Sequence, residues 1–266
     1  MIDDTAMTYE VRDTVATVRF QRPGALNALR RRDFLDLTRH LAEARASSDV
    51  SAVVITGSGR AFSAGEDLHE LAETLPGLDA SEVRVHVEQL QDLTRLLLAI
   101  DKPVIAAVNG LAVGVGAEIA VACDLRVAAE SARFSFPEVS RGLFETNGVT
   151  WLLPRMIGRG RALRVMLTGE FVDADTCLAW GLVDEVVPDA DLDSHVHERA
   201  VRLGQGAPVS LAWVKAAVTA GMASDLETAL ALEVEGVLAC LATDDLQEGL
   251  TAFREGRSPS FRSREP

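Results

Sequence analysis

The sequence predicts an α/β fold in which parallel strands alternate with covering helices. Two observations lead to this prediction: short apolar runs rich in β-branched residues recur along the chain, and segments with helical periodicity separate them. The composition agrees with it. The 266 residues are 48% hydrophobic and 25% charged, which is typical of a soluble globular protein with one large domain or one domain plus an appendage.

The first element is a predicted antiparallel hairpin. Apolar and polar residues alternate over 9–20 on both sides of Asp13 and Thr14, which indicates two strands with one face in water. A turn at 22–24 follows.

Helices and buried strands then alternate. Phe34, Leu37, Leu41 and Ala44 recur at helical spacing, and a β-rich run at 52–56 ends at Gly57. The same order repeats with a helix over 82–99, a strand over 104–108, a short helix from near Gly116 and a strand over 125–129. This repetition is what predicts the parallel sheet.

The remainder of the chain reads as mostly helical. One more strand-like run occupies 182–187, and from Pro208 onward apolar residues recur at helical spacing on both sides of Gly221 and Ser224. We therefore divide the chain into a core at 1–200 and a helical region at 201–266, whose apolar excess is suited to packing on another subunit.

The charge balance restricts the partners. The formal net charge is −14 and the isoelectric point is near 4.8, so the protein repels polyanions and nucleic acid is not an expected partner. Only Lys102 and Lys215 are lysines, which argues against Schiff-base chemistry.

The cysteines and the N-terminus predict a cytoplasmic protein. Cys123, Cys177 and Cys240 are odd in number and far apart, as expected of reduced core thiols. The N-terminus opens with acidic residues, which does not fit an export signal. No membrane span is expected, because Asn109 and Glu118 interrupt the most apolar stretch.

Two glycine-rich loops follow predicted strands, at 57–68 and 109–118, and each leads toward a helix. Neither carries a nucleotide-binding fingerprint. Tight turns that feed helices leave backbone N–H groups unpaired, so two such loops side by side can direct two donors at one oxygen, as in an oxyanion hole. The alternative is that the glycines serve only tight turns and close packing.

Two acidic residues are candidate catalytic groups. Glu118 lies in an otherwise apolar run, where a carboxylate is costly unless it is solvated, hydrogen-bonded or protonated; it is either a functional acid or a buried partner of an arginine such as Arg126. Glu138 follows Pro137 and is either a second functional acid or a solvated loop residue.

The motifs together resemble the crotonase family of enoyl-CoA hydratases and isomerases. They occur in the family order and cover nearly the whole chain: ALNAL at 25–29, AFSAGEDL at 61–68, KPVIAAVNG at 102–110, GVGAE at 114–118, ACD at 122–124, FPE at 136–138, LLPR at 152–155, LTGE at 167–170, AWGLVD at 179–184 and ATDDLQEG at 242–249.

The resemblance implies a crotonase-like spiral of repeated ββα units, with C-terminal helices that form a homotrimer, often paired into a hexamer. The ligand it implies is an acyl thioester of coenzyme A, bound without metal or other cofactor. Residues that match the family's coenzyme A contacts are Leu26, Ala64, Asp67 and Leu68; Asp67 also suits a helix N-cap. A weaker match places Phe253 and Arg257 near coenzyme A.

The resemblance also assigns roles to the site residues. The backbone N–H groups of Glu66 and Val115 hold the thioester oxygen, Glu118 holds and activates water, and Glu138 exchanges a proton with the α carbon. Two carboxyls can act as base and acid when burial and proximity raise one pKa and leave the other group ionised. The implied reaction is syn addition of water to a 2-enoyl-CoA.

Three departures from the family pattern leave alternatives open. Val115 adds a branched side chain beside the thioester, Glu66 replaces a small residue, and Glu145 is either a third acid or a loop residue facing water. An isomerase that uses Glu138, with or without Glu145, is the first alternative to a hydratase. The second is a non-catalytic protein that binds acyl-CoA.

Overall fold

The structure, a computed structural model, describes residues 6–261. Its largest element is a six-stranded sheet with the order β1-β2-β3-β5-β7-β10. The strands are β1 (Met7–Arg12), β2 (Val15–Phe20), β3 (Ala52–Gly57), β5 (Val104–Val108), β7 (Leu125–Ala129) and β10 (Glu185–Val187). The β1–β2 pair is the predicted antiparallel hairpin and the other pairings are parallel, as predicted.

A second sheet, which periodicity did not predict, has four short strands in the order β4-β6-β8-β9. They are β4 (Ala61–Ser63), β6 (Leu111–Val113), β8 (Arg133–Ser135) and β9 (Val172–Asp173). β4, β6 and β8 follow β3, β5 and β7 along the chain, and helices follow in turn. This order is the repeated ββα unit of the crotonase-like spiral.

Glycines make the sharp turns between the two sheets possible. A Cβ atom at Gly57 would lie 2.2 Å from the carbonyl oxygen of Ala61, and one at Gly110 would lie 2.2 Å from that of Arg60. No larger residue fits at such approaches, so these glycines fix the path from each long strand to its short partner.

Helices enclose the sheets and continue to the C-terminal region. They are α1 (Arg31–Ala46), α2 (Leu68–Thr74), α3 (Ala80–Ala99), α4 (Val115–Ala122), α5 (Val149–Ile157), α6 (Arg159–Thr168), α7 (Ala174–Trp180), α8 (Leu192–Gly204), α9 (Pro208–Gly221), α10 (Leu226–Leu241) and α11 (Asp245–Glu255). Because α8 crosses residue 200, the boundary drawn there cuts a helix, and the division into two units stays a prediction.

The central strands β3, β5 and β7 of the six-stranded sheet are buried on both faces, which explains why they read as continuous apolar runs. Val53, Ile55 and Ala106 belong to the main core, together with α1, α3 and α4. Val54 and Ile105 alternate with them and pack under α8 with Val196.

The two lysines are held inside the fold. Lys102 is buried, and its Nζ atom donates hydrogen bonds to the carbonyl oxygens of Ala44, Arg45 and Ser47 at the end of α1. The Nζ atom of Lys215 lies 2.7 Å from a carboxylate oxygen of Asp124. Both amines therefore join a helix to its neighbours.

The C-terminal helices leave an apolar surface uncovered. α10 has no buried residue, and exposed side chains of α9 and α10 include Val214, Val218, Leu226, Leu230, Val234, Val237, Leu238 and Leu241. Within residues 6–261, no helix combines the length and hydropathy needed to cross a membrane.

Candidate active site

The two glycine-rich loops lie side by side. An added Cβ atom at Gly65 would be 3.2 Å from the backbone nitrogen of Val115. Leu29 pairs with the first loop. Its N–H donates to the carbonyl oxygen of Gly65, and its own carbonyl oxygen accepts from the N–H of Asp67, each at a distance of 2.8 Å. The N–H of Glu66, between these two bonds, therefore points away from Leu29.

Both N–H groups of the expected oxyanion hole are free to donate. Val115 is the first residue of α4, where backbone N–H groups have no partner inside the helix. In the described part of the chain, neither the N–H of Val115 nor that of Glu66 has a hydrogen-bond acceptor. The two loops thus present two unused donors, one of them at a helix N-terminus where the dipole favours negative charge.

These loops form part of the wall of a cavity of about 380 Å³. Its walls are mostly apolar, and they carry a small number of acids and bases. The lining residues are Ala64, Gly65, Glu66, Leu68, Leu71, Leu75, Val83, His86, Val87, Leu90, Val113, Gly114, Val115, Pro137, Glu138, Arg141, Gly142, Leu143, Phe144, Glu145 and Thr146. An apolar cavity with few polar groups is the usual form of a small-molecule site.

Glu118 is fully buried in α4 and is held by two residues. Its Oε1 atom accepts a hydrogen bond from the N–H of Thr146 at a distance of 3.2 Å. Its Oε2 atom accepts hydrogen bonds from the hydroxyl of Thr146 and the N–H of Asn147, each at a distance of 3.2 Å. It also accepts one from the Nδ2 atom of Asn147 at 2.8 Å. Burial raises the pKa of Glu118, and these hydrogen bonds oppose that rise.

Arg126 is not the partner of Glu118. Its guanidinium donates to the carbonyl oxygens of Leu182 and Cys123 and pairs with Asp184. The alternative that Glu118 serves as a buried arginine partner is therefore wrong, because the arginine is used to join β7 to the loop before β10.

Glu138 is buried at the start of a short 3₁₀ turn, and its Oε1 atom lies against Gly114. Its Oε2 atom has no hydrogen-bond partner. Burial and the nearby carboxylates of Glu118 and Glu145 raise the pKa of Glu138 to about 7. A carboxyl with this pKa can both give and accept a proton near neutrality.

Glu145 is buried too, so the interpretation that it faces water is wrong. It lines the cavity, and its Oε1 atom has no hydrogen-bond partner. The cavity therefore contains two acids with an unpaired oxygen, Glu138 and Glu145, and lies beside the fully paired Glu118.

The residues matched to coenzyme A contacts divide into two groups. Ala64 and Leu68 line the cavity, whereas Leu26 and Asp67 do not. Asp67 caps α2 as predicted, accepting from the N–H groups of His69 and Glu70, and its other oxygen accepts from Arg22 over 3.0 Å. The coenzyme A contacts at these positions stay predictions.

Four polar residues of the site were not identified from the sequence. Thr146 and Asn147 hold Glu118, and Thr94 of α3 places its hydroxyl 3.1 Å from the backbone oxygen and 3.4 Å from Oδ1 of Asn147. His86 lines the cavity and contacts Glu66. The sequence contains only a weak signal for them. Thr94 and His86 lie on a predicted helix among apolar residues. Thr146 and Asn147 follow the candidate acid Glu145.

No group of three or more His, Cys, Asp or Glu side chains suited to a metal ion occurs within the described range 6–261.

Comparison with known proteins identifies the family. Residues 10–264 match the family model described as enoyl-CoA hydratase/isomerase. The chain is 39% identical to a short-chain-enoyl-CoA hydratase of Clostridium acetobutylicum, covering 91% of this chain and 92% of that one. It is 36% identical to a crotonyl-CoA hydratase of Syntrophomonas wolfei, covering 96% and 97%.

The fold agrees with these matches. A crystal structure of an enoyl-CoA hydratase from Bacillus anthracis aligns with a TM-score of 0.91 and 32% identity, over 97% of this chain and 99% of that one. The protein is thus an α/β enzyme of the crotonase fold. It belongs to the enoyl-CoA hydratase/isomerase family.

Proposed function

We propose that the protein is an enoyl-CoA hydratase that adds water to a short-chain 2-enoyl-CoA. The observation that carries the proposal is the arrangement at one apolar cavity: two free backbone donors at Glu66 and Val115 and the acid Glu138 in its wall, with the buried acid Glu118 bonded to the lining residue Thr146. The relatives named as short-chain and crotonyl-CoA hydratases support a short acyl group.

The backbone donors would stabilise the charge that forms during the reaction. Attack of water on the β carbon moves electrons onto the thioester oxygen, giving an enolate. Two N–H groups fixed in an apolar site stabilise that oxygen more than they stabilise the neutral thioester, so they lower the barrier.

The two acids divide the proton transfers. Glu118 accepts a proton from water as the water oxygen bonds to the β carbon, and protonated Glu138 gives a proton to the α carbon as the enolate collapses. Both groups act on one face of the double bond, so the addition is syn. Transfer of the proton from Glu118 to Glu138 then restores the starting state.

The first experiment is loss of the conjugated thioester absorbance when the protein is mixed with crotonyl-CoA, in parallel with Glu118→Gln. We expect absorbance to fall with the wild type and not with the variant. Tight binding of crotonyl-CoA without any absorbance loss would identify the non-catalytic acyl-CoA-binding alternative and contradict the proposal.

The burial of Glu145 supports a second activity, migration of the double bond. Its unpaired oxygen faces the same cavity as Glu138, so a proton removed from one carbon can be returned to another. An isomerase reaction would appear as a gain of conjugated absorbance from 3-enoyl-CoA. If Glu118→Gln abolishes hydration and spares this gain, the two reactions use different acids.

The remaining proposals concern assembly and surroundings. The exposed apolar face of α9 and α10 supports a homotrimer or a hexamer formed through the region 201–266. The three unpaired cysteines support a cytoplasmic location, since disulfides are rare there. The proposed reaction needs no metal or nicotinamide, with coenzyme A entering as part of the substrate.

A further inference from the structure

Glu66 carries a carboxylate on the residue whose own N–H would hold the thioester oxygen. The Oε1 atom of this carboxylate lies 2.7 Å from Nε2 of His86 on α3. In the described residues, His86 is the sole basic side chain within 4.0 Å of it.

The position of His86 is unusual for its segment. Residues 68–89, which we call the wall segment, include α2 and the first half of α3 and form one side of the cavity. His86 is the only buried residue in the wall segment. The one buried side chain of this segment is therefore polar, and it contacts Glu66, the first of the two residues of the proposed oxyanion hole.

An unpaired carboxylate at Glu66 would oppose the proposed reaction. The enolate oxygen gains negative charge next to residue 66, and two negative charges repel strongly where water is largely excluded. Because the repulsion grows as the enolate forms, it would raise the barrier more than it weakens substrate binding.

We propose that His86 is a positioning residue that holds the Glu66 carboxylate and disperses its negative charge through a hydrogen bond, so that the N–H of Glu66 can serve in the oxyanion hole. This inference rests on the proposed hydratase function and gives a reason for a carboxylate at a position where a small residue is usual.

The surroundings of the imidazole define how it does so. The Nδ1 atom of His86 is buried without a hydrogen-bond partner, so a proton there would be a buried unpaired donor. A proton on Nε2 instead faces the carboxylate of Glu66. The arrangement favours the tautomer that donates from Nε2.

The test compares His86→Ala with the double variant Glu66→Ala/His86→Ala in hydration of crotonyl-CoA. We expect His86→Ala to lower kcat about tenfold or more while KM changes less than about threefold. Removal of the unpaired carboxylate in the double variant should recover at least about fivefold of that loss. A purely structural role for His86 predicts the opposite order, since the second substitution would add to the damage.

His195→Ala is the matched control, because His195 makes a similar 2.6 Å contact with Glu185 away from the cavity. We expect its kcat to equal that of the wild type. A wild-type kcat for His86→Ala, or a double variant no faster than the single one, would overturn the proposal.

A second readout separates this inference from the proposed function. The infrared carbonyl stretch of bound butyryl-CoA, a saturated thioester that cannot be hydrated, reports polarisation by the oxyanion hole. We expect a shift to lower wavenumber in the wild type and a smaller shift in His86→Ala. If the wild type polarises the thioester more than His86→Ala does but does not hydrate crotonyl-CoA, the hydratase proposal fails and this one stands; equal shifts in both proteins would refute this one alone.

Discussion

The side-chain amide of Asn147 donates a 2.8 Å hydrogen bond to the carboxylate of Glu118, although both residues are buried. The hydroxyl of Thr94 lies 3.4 Å from Oδ1 of the same amide, on its other side. A neutral donor held in this way favours the ionised form of Glu118 without adding a charge that would compete with the enolate.

Replacement of Asn147 should therefore affect the pH dependence of hydration. Asn147→Leu removes a hydrogen bond to a charged group, which contributes about 1.5–3 kcal/mol, so kcat should fall about 10- to 100-fold. The pKa of Glu118 should rise further. Since Glu118 must be ionised to accept a proton, the acidic limb of kcat/KM should move to higher pH.

Asn109→Ala is the control for this change. Its side chain bonds only to backbone groups of Gly57, Gly59 and Ala61. We expect a lower melting temperature and an unchanged acidic limb. An acidic limb that stays in place in Asn147→Leu would show that the amide does not control Glu118.

Glu138 should reduce stability as the pH rises from about 4.5 to about 7. Its pKa is about 7 in the folded protein and near 4.5 when unfolded, so the folded state binds more protons between these values. Stability therefore falls as pH rises through this window, by less than about 3 kcal/mol because solvent screens part of the effect. We expect Glu138→Gln to be inactive in hydration yet more stable than the wild type at pH about 8, with the gain absent below pH about 4.5. Urea unfolding at both pH values measures this; an equal effect at the two would contradict it.

Gly114 should be essential for the position of Glu138. A Cβ atom at Gly114 would lie 2.8 Å from Oε1 of Glu138, and the backbone φ there is +53°. Gly114→Ala should lower kcat at least about tenfold as the acid is displaced. Gly158→Ala is the control, because Gly158 also has a positive φ outside the left-handed helical region (φ +82°, ψ 152°) and open space around it, so it separates backbone strain from the contact. Equal losses of kcat in both variants would argue against displacement of Glu138.

Val115 should limit the acyl group. Its side chain lines the cavity beside the proposed thioester position, while its N–H is independent of the side chain. Val115→Ala should raise kcat/KM for six-carbon over four-carbon 2-enoyl-CoA about tenfold, because one buried branch is removed. Val121→Ala, in the same helix but outside the cavity lining, should leave this ratio unchanged. A constant ratio in Val115→Ala would place the limit elsewhere.

The exposed face of α10 should mediate assembly. We expect light scattering to give a mass three or six times the 28.5 kDa of one chain. Val234→Glu/Val237→Glu should reduce the mass, because it introduces charge on this face. Leu167→Glu, at an exposed position on α6, should not. A wild-type protein of 28.5 kDa would exclude the proposed oligomer.

The long strands and the main helices were predictable because each has a strong local pattern. The run at 104–108 is apolar throughout and became β5, and the spacing of Phe34, Leu37 and Leu41 became α1. The short strands β4, β6 and β8 have three residues each, too few for a period to be recognised. Pairing between distant segments creates them.

The candidate site was predictable where a residue conflicts with its neighbours, as Glu118 does in an apolar helix. Asn147 and His86 carry no such signal, since asparagine is common in loops and His86 lies on a helix that is otherwise exposed at its start. Their importance depends on contacts to Glu118 and Glu66, 29 and 20 residues away, which only the fold brings together.

The placement of the two lysines has a chemical consequence for a protein that handles activated acyl groups. Thioesters transfer their acyl group to neutral, accessible amines without a catalyst. Lys102 is buried with its amine bonded to three carbonyl oxygens, Lys215 pairs with Asp124, and the chain has no other lysine. The protein therefore presents almost no side-chain amine that its own substrate could modify, and its positive surface charge is carried by arginine, which resists acylation.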